Sequence, residues 1–298
     1  MEPHHRFGPV RVYRGDKGGK YPDGNQVIVE GSRRRAAFDS PRVADRIGRD
    51  FDEVDLVIQG HMHEDHAAGL HRLIQTPVYV HQLDLPALQS WEGLRRAYGY
   101  SAGAAEQLRV DIERDFNYTP RPDAIGYEDG ETWDLGGGIT VTAVHAPGHT
   151  AGHCVLLVNP GAIAFIGDID LAGFGPYYGD ATSSLADFRR TLEALPGLPA
   201  GVWITFHHKG VYTERSAFLQ DLALFAGRID EREQALLQAL ARQPRTLEEL
   251  IGTGLLYPED FTAPWVRDAE RRTFAQHLDE LERSGRVHRD ESGRFFHR

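Results

Sequence analysis

Three histidines and one aspartate lie within six residues directly after an apolar run. The apolar run extends from Val54 to Ile58, and the polar run is His61-Met-His-Glu-Asp-His66. A buried strand that ends in a tight loop aims alternate side chains at one point, and imidazole and carboxylate groups bind zinc, iron or manganese. The run therefore predicts a catalytic metal centre, in a fold that must bring further ligands to the end of this strand.

The first two hundred residues have the pattern of a sheet-rich protein. Short β-branched runs are separated by Gly, Pro and Asp. The predicted strands are Val10–Tyr13, Gln26–Glu30, Ala36–Asp39, Val54–Ile58, Val78–His81, Ile139–His145, Cys154–Asn159, Ala162–Ile166 and Val202–Phe206. The predicted helices are Pro41–Arg49, Ala67–Ile74, a long stretch over Leu85–Asp115, and Ser184–Leu195. Runs of strands with helices between them favour a two-sheet sandwich covered by helices.

The pattern changes after Asp230. An amphipathic helix, a short helix opened by a capping box, a third helix that stops at a glycine, and a hairpin are predicted in turn. They are Glu231–Ala241 before Pro244, Thr246–Glu249, Pro264–Leu281 before Gly285, and residues 286–297. Three helices followed by a hairpin resemble a winged helix-turn-helix domain. Two domains are therefore predicted, over residues 1–228 and 229–298.

The polar run resembles the signature of the metallo-β-lactamase-fold hydrolases, and three later segments match the same family. They are Pro147-Gly-His-Thr150, Gly167-Asp168 after an apolar strand, and His207-His208 after another strand. The resemblance implies an α+β fold, a four-layer αβ/βα sandwich with the metal site at one edge. It also implies that an insertion near residues 82–131 covers the active-site groove.

The resemblance implies two divalent metal ions, zinc in the first place, with iron or manganese as alternatives. One metal would be held by His61, His63 and His149, the second by Asp65, His66 and His207, with Asp168 as the bridge. His208 competes with His207 for the last position. Thr205 stands where the family usually has Pro or Ser two residues before the final histidine, which favours His207.

Two metals held in this way would keep a water between them and lower its pKa to about 7, which predicts hydrolysis. Asp65 would also guide a proton to the leaving group. Tyr177 or Tyr178 is a candidate oxyanion donor, although both could serve only to pack the pocket wall. Lys209 is a candidate for binding an anionic group. His153 is expected to support the ligands rather than bind metal.

Charge separates the candidate functions. The formal net charge is −11, and residues 229–298 carry 11 basic and 14 acidic residues, a balance of −3. This charge argues against extensive electrostatic binding to the phosphates of a nucleic acid. The favoured function is hydrolysis of a small-molecule ester, thioester or lactone. One alternative is a metal-dependent endoribonuclease or phosphodiesterase that holds RNA with residues 229–298, called the tail below. The other is a non-catalytic nucleic-acid-binding module.

Two further expectations concern the surroundings of the protein. No run approaches the roughly 20 apolar residues of a membrane span, and the first residues lack the apolar segment of a signal peptide, so we expect a cytoplasmic protein with no membrane partner. The single cysteine, Cys154, excludes an internal disulfide and a multi-cysteine zinc site. A homodimer formed through the tail is an open alternative.

Overall fold

A computed structural model describes residues 1–159 and 163–298. The first sheet has seven strands, hydrogen-bonded in chain order. They are β1 (His5–Phe7), β2 (Val10–Tyr13), β3 (Gln26–Glu30), β4 (Arg35–Phe38), β5 (Leu56–Ile58), β6 (Val78–His81) and β7 (Ile125–Tyr127). Neighbours are antiparallel from β1 to β4 and parallel from β4 to β7.

The second sheet has six strands in the order β13-β12-β11-β10-β9-β8. They are β8 (Thr132–Gly136), β9 (Ile139–His145), β10 (Cys154–Val158), β11 (Ile163–Phe165), β12 (Val202–Ile204) and β13 (Val211–Tyr212). Only β11 and β12 run parallel to each other within this sheet. Ala162, placed in a strand by the sequence pattern, lies outside the described residues.

The helices differ in length and position. They are α1 (Ala44–Ile47), α2 (Arg49–Asp52), α3 (Leu85–Gln89), α4 (Trp91–Tyr98), α5 (Ala102–Asp115), α6 (Leu185–Ala194), α7 (Arg215–Arg242) and α8 (Val266–Arg283). A third, two-stranded sheet pairs β14 (Val287–Arg289) with β15 (Phe295–His297). In the part of the chain that the structure describes, none of these helices is long and apolar enough to span a membrane.

The core lies in layers, as the alternation of strand side chains requires. Val27 of β3 and Leu156 of β10 belong to the apolar layer between the two sheets. Phe51 packs with Val57 on the outer face of the first sheet. Phe218 of α7 stacks on Trp203 on the outer face of the second sheet, with ring centroids 4.4 Å apart. The predicted sandwich of two sheets covered by helices is confirmed.

Several helix predictions in the first two hundred residues are wrong in extent. The segment 67–74 forms only a short 3-10 turn at Leu70–Arg72, because the Gly69 N–H donates to the Ser40 carbonyl (2.7 Å) instead of continuing a helix. The stretch over residues 85–115 is three helices rather than one. The segment 41–49 is divided between α1 and α2 at Gly48.

The tail also departs from its prediction. Helix α7 begins at Arg215, not at Glu231, because the apolar pattern continues back to Phe218, which packs on the second sheet. The proposed boundary at 228/229 thus falls inside one helix, and the division into two domains remains a prediction. The predicted third helix and hairpin are present as α8 and β14–β15.

No helix forms at Thr246–Glu249 among the residues described there. The capping box itself exists, with Thr246 N 2.9 Å from Glu249 Oε2 and Glu249 N 3.3 Å from Thr246 Oγ1. The chain then turns at Gly252 and Gly254, both at φ +75°, a conformation that other residues rarely adopt. The capping box is therefore present without the helix that such a motif normally begins.

Candidate metal centre

Four strand ends converge at one edge of the sandwich. The run 61–66 follows β5, His149 lies in the turn between β9 and β10, Asp168 follows β11, and His207 follows β12. Gly148 makes the turn at φ +134°, and a Cβ there would lie 2.3 Å from the backbone of Phe188, so only glycine fits. The sheet topology therefore unites residues that are far apart in the sequence.

The first ligand group contains three histidines and an aspartate. The His63 Nδ1 atom lies 3.0 Å from His61 Nε2 and 3.0 Å from His149 Nε2. Asp168 Oδ2 lies 3.2 Å from His149 Nε2 and 4.0 Å from His61 Nε2. These atoms are close enough to share one metal ion; the three histidines are buried and Asp168 is partly buried. The predicted first set is brought together.

The second ligand group contains Asp65, His66 and His207. His207 Nε2 lies 2.9 Å from Asp65 Oδ2, and His66 Nε2 lies 2.9 Å from Asp168 Oδ1. Asp168 thus directs one oxygen at each group, the arrangement that a bridging carboxylate requires. Burial alone would raise the pKa of Asp168, but His66 and His207 hold that pKa well below its usual range.

The atoms that face each other make poor hydrogen bonds. Asp65 Oδ2, His66 Nε2 and Asp168 Oδ1 are buried, yet none has a partner in good hydrogen-bond geometry among the described residues. Buried polar atoms are normally satisfied, so such a group needs another partner. Nitrogen and carboxylate oxygen atoms converging on one point are the donor set of a divalent transition metal. The residues present therefore fit a metal site.

Groups outside the ligand set fix the histidine rings. His66 Nδ1 lies 2.8 Å from Asp39 Oδ2, His149 Nδ1 lies 3.0 Å from the Tyr177 carbonyl, and His207 Nδ1 lies 2.8 Å from the Gly19 carbonyl. Such contacts hold a ring in the tautomer that leaves the other nitrogen free for metal.

Asp180 holds His63 in the same way, with Oδ2 2.8 Å from His63 Nε2. Its other oxygen accepts hydrogen bonds from the Tyr100 and Tyr177 hydroxyls, each at 2.8 Å. Burial alone would lower the pKa of His63, but Asp180 raises it to about 9. The sequence pattern did not identify Asp180, because it lies in a loop with no local metal-binding signal.

Asp39 was also missed, although a predicted strand ends on it. Its backbone has φ +53°, which costs of order 1–3 kcal/mol for a residue other than glycine. The conformation lets Oδ1 accept from Gly60 N at 2.6 Å while Oδ2 faces His66. The strand end was the available signal. Backbone strain is thus found where a ligand is oriented.

His153 lies beside the ligand groups and contacts the backbone of Asp168. Its Nδ1 donates to the Ala146 carbonyl at 3.0 Å, and its Nε2 accepts from the Asp168 backbone N–H at 3.3 Å. The pKa of His153 is lowered to about 3, first by burial and then by His149, so the ring is neutral and able to accept. Asp84 holds the same turn by accepting from Thr150 Oγ1 at 2.7 Å.

Two predicted residues beside His207, namely His208 and Lys209, are not gathered into the two ligand groups. His208 lies 3.8 Å from Asp170 and has φ +53°, while its neighbour His207 lies with Asp65 and His66 in the second group. The Lys209 ammonium donates to Asp221 of α7 at 3.0 Å, and this ion pair argues against an anion-binding role at the metals.

The hydroxyls of the two candidate tyrosines also form hydrogen bonds with residues outside the two ligand groups. The Tyr178 side chain is fully buried, and its hydroxyl lies 2.8 Å from His277 Nε2 of α8. It therefore packs rather than serves as an oxyanion donor. The Tyr177 hydroxyl donates to Asp180, so this hydroxyl is linked to the ligand His63 only through Asp180.

The insertion contributes to the wall of the site. The Tyr98 ring stacks on His63 with centroids 5.2 Å apart, and the Tyr98 hydroxyl donates to Glu64. The other oxygen of Glu64 accepts from Tyr21 at 3.2 Å. Tyr98 ends α4, so the insertion between β6 and β7 reaches the metal ligands. The side chains of the ligand groups are at most 14% exposed.

Helix α8 of the tail packs against the loops that surround the site. Asp268 accepts from the Ser101 backbone N–H at 2.8 Å, and Gln276 donates to the Tyr178 carbonyl at 2.9 Å. Arg272 donates to the carbonyls of Gly99 and Gly179. These loops carry Tyr100 and Asp180. The tail is therefore joined to the residues that orient His63.

A protein-family model described as the metallo-beta-lactamase superfamily matches residues 30–224. The chain belongs to this superfamily. It is a metal-dependent hydrolase with a His/Asp site suited to divalent metal. A beta-lactamase-like protein 2 homolog of Drosophila melanogaster is 23% identical over 235 residues, covering 78% of this chain and 70% of that protein.

Solved structures show the same fold. A metallo-beta-lactamase family protein from Thermus thermophilus has a TM-score of 0.70 and 22% identity, and the likeness covers 98% of this chain and 99% of that one. A protein crystallised in a di-iron-bound form has a TM-score of 0.51 and 21% identity, covering 73% of this chain and 97% of that one.

Proposed function

We propose that this superfamily hydrolase cleaves an ester, thioester or lactone bond of a small molecule with the help of two divalent metal ions. The observation that carries the proposal is Asp168, whose two carboxylate oxygens face two separate ligand groups. His61, His63 and His149 would hold one ion, and Asp65, His66 and His207 the other.

Bound metal ions of this kind lower the pKa of water to about 7 and polarise the oxygen of the bond under attack. The protein residues orient the metal-binding histidines and cover their rings. Asp39 and Asp180 orient two of the histidines, and the rings of Tyr98 and Phe206 cover His63 and His66. Asp65 is buried beside His207, where it would accept or deliver a proton during bond cleavage.

The position of α8 favours a small substrate over RNA. In a winged helix-turn-helix domain the corresponding helix enters a nucleic-acid groove. Here α8 places nine buried residues on its inner face and hydrogen-bonds to the loops around Tyr100 and Asp180. We propose that residues 229–298 form a winged-helix-like domain whose role is to complete the substrate groove. Its acidic balance supports the same conclusion.

Zinc is the metal we propose first, because imidazole nitrogen and carboxylate oxygen donors suit it. Iron is the main alternative, since the same donors bind iron and a protein of the same fold was crystallised in a di-iron-bound form. Elemental analysis of protein prepared with each metal, followed by activity assays, will distinguish them.

The test is a panel of thioester, lactone, ester and RNA phosphodiester substrates, assayed after loading with zinc, iron or manganese. We expect about two metal ions per chain and turnover of one of the acyl substrates. Asp168→Ala should abolish turnover and leave the circular dichroism spectrum unchanged, while His208→Ala serves as the matched control. Cleavage of RNA with no turnover of any acyl substrate would replace this proposal with the endoribonuclease alternative.

A further inference from the structure

A cavity of about 540 Å³ adjoins the second ligand group on the side of residues 16–23. Its basic and aromatic lining residues are Lys17, Lys20, Tyr21, Arg42 and Arg46. The loop 16–22 forms one wall, and the chain from Arg42 through α1 forms the other. None of these residues belongs to the predicted ligand set, and their charges set the cavity apart from the acidic remainder of the chain.

The charge of the cavity is unusual for this protein. The chain has three lysines, and two of them, Lys17 and Lys20, line the cavity. The third, Lys209, is paired with Asp221. Within the described ranges, neither cavity lysine nor Arg42 forms an ion pair. A chain with a net charge of −11 has many carboxylates available, so three unpaired cations around one cavity indicate an anion site.

The same cavity has three acidic lining residues against four basic ones. Asp16 and Asp23 accept from Arg46 at 2.8 and 3.2 Å. Asp45, on the outer side, lies 3.3 Å from His71 and 3.7 Å from Arg72. With four basic and three acidic lining residues, the cavity keeps a net charge of +1 in a chain whose net charge is −11.

The cavity wall is fixed rather than a loose surface loop. The buried Asp23 accepts from the backbone N–H groups of Asp16, Gly24 and Val43 at 2.8–2.9 Å, which ties the loop to the start of α1. Lys17 has φ +52°, an uncommon conformation for a side chain of this size. A preformed wall reduces the entropy lost when a ligand binds.

The cavity communicates with the metal centre through the same loop. The Gly19 carbonyl, one residue before Lys20, accepts from His207 Nδ1 at 2.8 Å. The Tyr21 ring lies between the cavity and the metal ligands, 6.4 Å from the His207 ring and 5.8 Å from the Phe116 ring. The Arg42 guanidinium lies over the Phe116 ring, 5.9 Å from the ring centroid.

We infer that this cavity binds a phosphate group carried by the substrate, at the end remote from the bond that is cleaved. Lysine ammonium groups bind phosphate as compact point charges, and arginine adds directional hydrogen bonds. The inference rests on the proposed function for the identity of the reacting bond. The anion site itself depends only on Lys17, Lys20 and Arg42.

Binding is tested with inorganic pyrophosphate titrated calorimetrically into the metal-free full-length protein at low salt. We expect Lys20→Gln/Arg42→Gln to bind at least about tenfold more weakly than wild type, because charged hydrogen bonds are lost. Lys209→Gln, which removes the one lysine outside the cavity, should bind like wild type. His149→Ala should also bind like wild type, because the probe does not rest on the metal ligands.

Three results would overturn the anion site. They are the absence of saturable binding to wild type, equal binding by the double variant, and loss of binding only in His149→Ala. The last result would place pyrophosphate among the metal ligands instead. A far-ultraviolet circular dichroism spectrum and a melting curve of each variant separate loss of the site from loss of the fold.

A kinetic test separates this inference from the proposed function. The zinc-loaded protein is given a neutral ester and the same ester with a terminal phosphate. We expect Lys20→Gln/Arg42→Gln to raise KM about tenfold for the phosphorylated ester alone and to leave kcat unchanged. Equal effects on both esters would reject the phosphate site and keep the hydrolase. Pyrophosphate binding without turnover of any acyl substrate would keep the site and reject the proposed acyl substrates.

Discussion

Asp180 Oδ2 lies 2.8 Å from His63 Nε2, opposite the ring nitrogen that faces His61 and His149. A carboxylate in this position fixes the tautomer of a metal-binding histidine and raises its basicity. Asp180 is itself held by the Tyr100 and Tyr177 hydroxyls. The orientation of one ligand therefore depends on two loops and, through them, on the packing of α8.

We predict that Asp180→Asn weakens the metal at the first ligand group by about 10- to 100-fold, because the amide no longer supplies a negative charge to His63. The second metal should be retained. Titration against a competing chelator measures both constants. Asp221→Asn, at the ion pair with Lys209 on α7, is the matched control and should keep both constants. Equal affinities in Asp180→Asn and wild type would show that His63 needs no carboxylate partner.

The choice between adjacent histidines gives a second prediction. His207 lies 2.9 Å from Asp65, whereas His208 lies 3.8 Å from Asp170. His207→Ala should therefore lower the metal content from about two ions per chain to about one, and His208→Ala should keep two. Elemental analysis after gel filtration checks both variants. Loss of a metal in His208→Ala alone would reverse the assignment of the last ligand.

The predicted ligand set agrees with the geometry because each residue follows an apolar strand, and strand ends meet at one edge of a sheet. The positions of His61, Asp168 and His207 after predicted strands were visible in the local sequence, and the family resemblance supplied their grouping as ligands. The contacts of Tyr178 and Lys209 could not be predicted from the local sequence. Their neighbours in space, His277 and Asp221, belong to later helices whose packing leaves no local trace in the sequence.

The errors in the helices have two causes. Thr246 and Glu249 form the capping box that their spacing predicts, but Gly252 and Gly254 turn the chain before a helix can continue. The start of α7 was placed too late because the tertiary partner of Phe218, the ring of Trp203, is not visible in the sequence. The first error thus has a local cause, the two glycines, and the second has a long-range cause, the contact of Phe218 with Trp203.

The contact between α8 and the loops around the site gives a third prediction. Arg272 donates to the Gly99 and Gly179 carbonyls, next to Tyr100 and Asp180. Arg272→Ala should lower the free energy of unfolding by about 1–3 kcal/mol, since partly buried carbonyls lose a charged donor. It should also weaken the first metal several-fold while Arg283→Ala, at the exposed end of α8, does neither. Urea unfolding and chelator competition measure the two effects, and an unchanged metal constant would show that α8 does not support the site.

The buried His277 predicts how stability depends on pH. Burial, and then the charges of Arg189 and Arg232, lower the pKa of His277 to about 3, whereas an exposed histidine has a pKa near 6.5. Below pH 6.5 the unfolded chain therefore binds a proton that the folded protein excludes. The contribution is complete above pH 6.5 and is lost as the pH falls toward 3, by at most about 1.4 kcal/mol per pH unit.

His277→Gln should remove this dependence, because the amide keeps a hydrogen-bonding group beside Tyr178 and does not titrate. We expect the loss of unfolding free energy between pH 6.5 and 5 to be smaller in this variant than in wild type, by up to about 1.4 kcal/mol per pH unit. His297→Gln, at an exposed histidine of β15, should follow the wild-type curve. Urea titrations at pH 7.5, 6.5, 5.5 and 4.5 measure the difference. Parallel curves for His277→Gln and wild type would mean that His277 is protonated in the folded protein, and that its contact with Tyr178 does not require the neutral ring.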